Sequence, residues 1–179
     1  RVICGTDSEE IPVSLEGNSD SFRMKLSFLP NGNCVILPNI NGRGYGFFKI
    51  TEGESSGLWS VLRSSEDEVL KGSLLITLYE NLRWKTISPQ GFREEMLAYL
   101  PNESNSLLFS MALSYLGDCQ RIFPSDSRPL EQVLWKIVTT NPVSQHRLQA
   151  FRLYRSIADS EEAVQRLYTL WQERKAPKD

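Results

Sequence analysis

The hydrophobic period of this chain changes once, and the change divides it. Up to Ile50 the apolar residues that repeat do so at every second position, and from Leu58 onward they repeat every three to four. A period of two buries one face of a strand and a period near 3.6 buries one face of a helix, and neither pattern serves the other element. The expected fold is therefore α+β with its parts segregated. A small antiparallel sheet or sandwich portion is expected over residues 1–52, followed over 53–179 by an all-helical array, either HEAT-like or an irregular bundle.

In the first part, Phe22, Met24, Leu26 and Phe28 alternate with Arg23, Lys25 and Ser27, which predicts a half-buried strand. Pro30-Asn31-Gly32-Asn33 then supplies a tight turn into Cys34-Val35-Ile36-Leu37, so the two runs are expected to form a hairpin. Val2–Cys4, Ile11–Leu15 and Tyr45–Ile50 are shorter strand candidates, with Pro12 placing the second of them at an edge.

In the second part, Ser65 with Glu68 forms a capping-box pattern ahead of Leu70, Leu74, Leu78 and Leu82, after a shorter helix around Leu58–Leu62. Ser88-Pro89 opens a helix with Phe92, Met96, Leu97 and Leu100 on its apolar face, and Pro101 stops it. Ser104 is expected to open the next, whose stripe is Leu108, Met111, Ala112, Tyr115, Leu116 and Cys119. Leu130, Val133, Leu134 and Ile137 mark another, ending at Asn141-Pro142. Leu148, Phe151, Tyr154 and Ala158 mark the one after it, and Val164, Leu167, Tyr168 and Trp171 the last. Start signals at Ser65, Ser88, Ser104, Ser127, Ser144 and Ser160 space alternate helices as helix-pair repeats do, without any repeat of residues.

Composition removes several functions. With 20 Lys+Arg against 22 Asp+Glu the formal charge is −2, which argues against nucleic acid as a partner. No apolar run approaches the roughly 20 residues that span a bilayer, and residues 1–10 lack the plan of a signal peptide, so no membrane insertion is expected and the chain is read as soluble, cytoplasmic or periplasmic. The single histidine, His146, cannot build a zinc centre of two or three imidazoles, and Cys4, Cys34 and Cys119 include no Cys-x-x-Cys pair. Three free thiols suit a reducing cytoplasm and a Cys4–Cys34 pair suits an oxidising compartment, so the cysteines leave the compartment open.

Few residues are candidates for chemistry. His146 falls in a first helical turn opposite Leu148 and Phe151, where it is expected to face solvent, with no nucleophile motif beside it. Glu66-Asp67-Glu68 and Glu161-Glu162 occupy first turns, where negative charge favours the helix dipole, so they are read as capping groups. Gly42-Arg43-Gly44-Tyr45-Gly46 leads into a predicted strand rather than a helix, which makes it a turn and not a phosphate cradle. Basic residues gather late in the chain: residues 121–179 carry 10 basic and 7 acidic side chains, Arg147, Arg152, Arg155 and Arg166 among them. Such arginines form a solvated face or, turned into a cavity, a two-pronged grip on a carboxylate.

The run Val35-Ile36-Leu37-Pro38-Asn39-Ile40-Asn41-Gly42-Arg43-Gly44-Tyr45-Gly46-Phe47-Phe48 resembles the strand–turn–strand element in the β-sandwich domain of gluzincin zinc aminopeptidases, the membrane-alanyl-aminopeptidase-like family. Ile11–Gly17 before it, Lys71-Gly72-Ser73-Leu74-Leu75-Ile76-Thr77-Leu78-Tyr79-Glu80-Asn81 after it, and more loosely Leu100–Glu103 and Leu167–Trp171, are similar to the same family. Its members run from a β domain through a thermolysin-like catalytic domain to a sandwich and a C-terminal helical domain, and this chain resembles the last two. The family's His-Glu-x-x-His zinc motif, distant Glu ligand, Gly-x-Met-Glu-Asn loop and catalytic Tyr have no counterpart here. The resemblance therefore implies no catalytic residue and no cofactor in this chain, with zinc in an upstream catalytic domain that would be its partner. It implies an accessory role in capping the active-site cavity and restricting peptide access, with Arg152 and Arg155 as candidates for holding a peptide substrate's carboxylate. The opening at Arg1, inside a predicted strand region, is as expected for a piece of a longer enzyme. The alternative is a stand-alone helical-array module that binds a protein partner and has no enzymatic activity.

Overall fold

A computed structural model describes residues 1–4, 7–13, 25–27, 34–40 and 46–173. Among these the chain is α+β: a three-stranded antiparallel sheet precedes seven α-helices. Two compact units divide it, Arg1–Asn81 and Leu82–Asp179. The division falls inside the second helix, beyond the change of period near residues 52–53.

The first unit begins with strands β1 (Val2–Cys4), β2 (Asp7–Glu9) and β3 (Cys34–Ile36), with β1 in the centre. Val2 faces Glu9 and Ile36 across the two ladders, and Cys4 faces Asp7 and Cys34. A disulfide joins Cys4 to Cys34, whose Cα atoms lie 4.3 Å apart. The ladder is extended by a reciprocal pair, the Arg1 ammonium to the Leu37 carbonyl at 2.9 Å and the Leu37 N–H to the Arg1 carbonyl at 2.8 Å.

This sheet differs from the expected one. Among the described residues β3 pairs with β1. Of the expected Phe22–Phe28 strand the described part, Lys25–Ser27, is no strand, because the Glu9 carboxylate takes both the N–H and the hydroxyl of Ser27, at 2.7 and 2.9 Å. The turn residues 30–33 and residues 41–45 of the glycine-rich run lie outside the described residues. Ile11–Val13 forms no ladder, since Pro12 has no N–H to give. β2 was not expected, because Asp7-Ser8-Glu9 carries no apolar residue and is drawn into the sheet by pairing alone. Gly46–Ile50 is not a strand either: its backbone groups bond to a side chain instead, as described below.

Helix α1 (Glu52–Ser64) starts with a capping box, Thr51 accepting from the Glu54 N–H while the Glu54 carboxylate takes the Thr51 N–H at 2.7 Å. It packs against β3, and Gly57 permits this, because a Cβ there would stand 2.8 Å from Val35 Cγ2. Helix α2 (Glu68–Arg83) is capped by Asp67, whose carboxylate accepts from Val69 and Leu70 N–H, while Ser65 serves only the Asp67 N–H. Its Leu70, Leu74, Leu78 and Leu82 are all buried as the four-residue spacing requires. Burying each contributes on the order of 1.5–3 kcal/mol.

In the second unit α3 (Pro89–Tyr99) is capped by Ser88 and passes at Pro101 into a single 3₁₀ turn, Leu100–Asn102. Helix α4 (Ser106–Ile122) is opened by Asn105, not Ser104, the Asn105 side chain accepting from Leu107 and Leu108 N–H. Helices α5 (Arg128–Thr140) and α6 (Ser144–Ile157) pack against each other, and α6 also packs on α4. Gly117 of α4 lets α6 approach, with Leu153 Cδ1 2.9 Å from where a Cβ would lie. Helix α7 (Glu161–Glu173) starts at Ser160, whose hydroxyl accepts the Ala163 N–H at 3.1 Å. Of its residues Ala163 alone is buried; Val164, Tyr168 and Trp171, expected in the core, are exposed.

Candidate functional site

The residues expected to matter lie on α6, and the helix is turned only partly as expected, Tyr154 inward but Leu148 outward. His146, Ala150 and Tyr154, at i, i+4 and i+8, are the ones with no exposed surface. Leu148, assigned to the apolar face, is half exposed, and Arg152 and Arg155 share its outer side. Neither arginine makes a hydrogen bond or ion pair with another described residue, and neither lines the recess described next.

That recess, about 440 Å³, lies where α5 meets the start of α7 and is bordered by Arg128, Glu131, Gln132, Glu161, Glu162 and Arg166, among others. Glu131 lines it and is 3% exposed. One carboxylate oxygen accepts the Ser127 hydroxyl at 2.9 Å and the Asp159 and Ser160 N–H groups at 2.8 and 3.1 Å; the other accepts the Ser160 hydroxyl. Burial pushes this carboxyl up, but the Ser160 hydroxyl, the two amides and Ser127 outweigh it and hold it below the usual carboxylate range. A carboxylate so engaged fastens α5 to the α6–α7 turn and has no proton to give.

Arg166 forms one wall. Its guanidinium lies over the Trp135 ring at 4.7 Å, donates to the Tyr154 hydroxyl at 3.3 Å and pairs with Glu162. The planar group is thus stacked and forked at once, which fixes its position. With guanidinium and carboxylate groups both on the rim, the recess is polar and of mixed charge.

His146 was expected to face solvent and instead is wholly buried. Its ring stacks on Phe109 with centroids 4.0 Å apart and planes 7° from parallel, and Nε2 lies 3.0 Å from Ser106 Oγ. Nδ1 is buried without a partner. An unpaired acceptor is the cheaper orphan, so the proton belongs on Nε2, donated to Ser106. Ser106 then has no base to activate it. Burial lowers the pKa of the imidazole, Glu103 partly opposing, so His146 is neutral at pH 7 and acts as a packing group between α4 and α6.

Three further polar residues escaped the sequence reading. Arg93 is buried and donates to the Phe123 carbonyl at 2.8 Å, where the cation suits the C-terminal end of α4. Glu131 is the second, and no spacing rule announces a carboxylate whose partners lie 28 and 29 residues away. Asn81 is the third: its oxygen accepts the Ile50 N–H at 2.9 Å, and its amide donates to the Phe48 and Thr77 carbonyls, each at 2.9 Å.

Among the described residues no three His, Cys, Asp or Glu side chains gather as metal ligands would, and no helix is long and apolar enough to cross a membrane. No protein-family model, curated protein or solved structure matches this chain.

Proposed function

We propose that this chain is the non-catalytic C-terminal part of a zinc-dependent aminopeptidase, where it caps the active-site cavity and restricts peptide access. One observation supports the reading beyond resemblance of sequence. The two longest family-like stretches, Val35–Phe48 and Lys71–Asn81, are tied to each other by their own side chains. Ser73 Oγ donates to the Ile40 carbonyl at 2.9 Å, and Asn81 engages Phe48 and, just past the first stretch, Ile50. Asn39, in the Leu-Pro-Asn turn of the first stretch, takes a left-handed conformation at φ 48°, which asparagine tolerates better than most residues. The motif residues thus form one joint between strand and helix, a reason for them to occur together.

The test is in the intact gene product. The coding sequence upstream of Arg1 should encode a His-Glu-x-x-His motif, and the full protein should release N-terminal residues from short peptides in a zinc-dependent manner. Arg152→Ala or Arg155→Ala should raise KM for peptides with a free C-terminal carboxylate and spare aminoacyl anilides, a lost contact to a charged group being worth about 1.5–3 kcal/mol. An upstream sequence without the zinc motif would overturn the proposal.

The second reading, a helical-array interaction module, is favoured by the exposed apolar line Val164, Tyr168 and Trp171 on α7. Solvent leaves such a line uncovered only at a cost, so a partner surface fits it. It predicts that Trp171→Ala abolishes partner capture without changing stability.

A further inference from the structure

The disulfide is placed where it can do more than brace the sheet. Each strand has three residues, so each ladder offers few hydrogen bonds, and a sheet this small holds together weakly on those alone. Cys4 lies on the central strand with no exposed surface, whereas Cys34 is exposed and lies on β3, an edge of the sheet among the described residues. The two cysteines are therefore unequally exposed, and exchange depends on access to the sulfur attacked. The bond also fixes the parity of β3: Cys34 faces Cys4, so Val35 must point to the other side of the strand, where it meets Gly57 of α1. A slip of one residue would turn Val35 away from that seat.

We propose that Cys4–Cys34 is a thiol-exchangeable latch, opened by a dithiol reductant that attacks Cys34, and that opening it frees β3 from its register against α1. A thiolate of the reductant bonds to Cys34 Sγ as the Cys4–Cys34 bond breaks, and the electron pair leaves on Cys4 as thiolate. The reductant's second thiolate then attacks its own sulfur in the mixed disulfide, releasing Cys34. The two protons given up by the dithiol end on Cys4 and Cys34, two electrons have passed to the protein, and the reductant leaves as its disulfide. In an oxidising compartment the latch is closed, and in a reducing one it is open.

The whole chain is tested in three steps. Denatured without reductant it should take up one equivalent of iodoacetamide, on Cys119, and after dithiothreitol three. A limiting monothiol, 2-mercaptoethanol, should be trapped as a mixed disulfide on Cys34, located by mass spectrometry of peptides. Amide exchange should then lose protection in β3 and around Gly57 on reduction, with α4, α5 and α6 unchanged, and regain it on reoxidation. The Cys4→Ser/Cys34→Ser variant should match the reduced protein in either buffer, and Cys119→Ser should respond as the unaltered chain does. Three reactive thiols before reduction, the adduct on Cys4, or exchange in β3 indifferent to reduction would each overturn the proposal. The reversible titration of the unaltered chain decides the matter even if the double variant does not fold.

Discussion

The side-chain oxygen of Asn81 accepts the backbone N–H of Ile50 at 2.9 Å, from one helix to the chain 31 residues earlier. The same side chain donates to the Phe48 carbonyl, so a buried amide does for this segment what a neighbouring strand would otherwise do. Asn81→Leu keeps the size but orphans both backbone groups. It should cost about 2–6 kcal/mol, at 1–3 kcal/mol for each polar group left unpaired. Asn81→Asp should also destabilise, since a carboxylate cannot donate to Phe48. Urea unfolding followed by fluorescence checks this, the midpoint falling while the slope is unchanged.

Two glycines sit in helices at close crossings, and their replacement by alanine should differ. Helix propensity alone would favour each change by about 0.8–1 kcal/mol. At Gly57 the new methyl meets Val35 Cγ2 at 2.8 Å and Cγ1 at 3.1 Å, two atoms on a stiff β-branched side chain. At Gly117 it meets one atom at the end of Leu153, at 2.9 Å, which a rotamer change can move. Gly57→Ala should therefore lower the thermal midpoint and Gly117→Ala should leave it unchanged or raise it. Val35→Ala added to Gly57→Ala should restore part of the loss.

Glu131 is the buried joint between α5 and the turn that opens α7. Glu131→Ala should cost on the order of 3 kcal/mol, because it strips hydrogen-bond acceptors from Ser127, Asp159 and Ser160 together. Its carboxyl titrates lower in the folded chain than in the unfolded chain, whose ordinary value is 4.5. Its stabilisation is complete well above pH 4.5 and disappears as pH falls through the folded value. Glu131→Gln should flatten the stability curve in that acid range, read by circular dichroism on acid titration.

The helices were legible because their signal is local. The four-residue leucine spacing of α2 reaches the core as drawn, and of the α4 stripe Leu108, Ala112, Leu116 and Cys119 are buried while Met111 and Tyr115 lie at its margin, since the period that makes an amphipathic face can be counted along one segment. The strands failed where pairing is decided by distant groups: Glu9 holds Ser27 and Asn81 holds Ile50, and neither bond leaves a trace in local alternation. On α6 Tyr154 is buried as expected, but Leu148 turns outward and His146 inward, because a histidine scores as polar whereas a neutral imidazole stacked on Phe109 packs as an aromatic ring. On α7 the apolar residues were read correctly as a stripe, but periodicity says that a face is apolar and not that anything covers it. The arginines are the limiting case. Arg166 acquires its role from Trp135, Tyr154 and Glu162, and nothing in the spacing distinguishes it from Arg152 or Arg155.

Equimolar zinc should be absent from the purified, untagged chain. Cys4 and Cys34 are spent on each other, Cys119 is buried with its thiol pushed up by that burial, and the Nε2 of His146 is committed to Ser106. Zinc takes thiolates and free imidazole nitrogens, three or four together, and the described residues bring no such set to one place. Metal analysis after gel filtration gives the answer, and one tightly held zinc per chain would defeat the expectation.

The last prediction turns on the same histidine. Burial holds the folded pKa of His146 below its ordinary 6.5, with Glu103 opposing but not reversing the effect. Between the folded and unfolded values the unfolded chain binds the extra proton, so unfolding becomes easier as pH drops. The contribution of His146 to stability is whole above about pH 6.5 and is lost as pH falls through the lower, folded value, a window that opens near 6.5, above the 4.5 at which that of Glu131 opens. Protonation would place a charge on a ring with no exposed surface, between Phe109 and Ser106, and α6 should part from α4 before the rest of the chain responds. Denaturation midpoints measured from pH 8 to well below pH 4.5 should therefore fall in two steps, the first beginning near pH 6.5 and the second below pH 4.5. His146→Phe should keep the stack on Phe109 and abolish only the upper step, while Glu131→Gln should abolish only the lower. A midpoint that stays level from pH 7 to pH 5 in the unaltered chain would show that the ring takes up its proton without leaving its place.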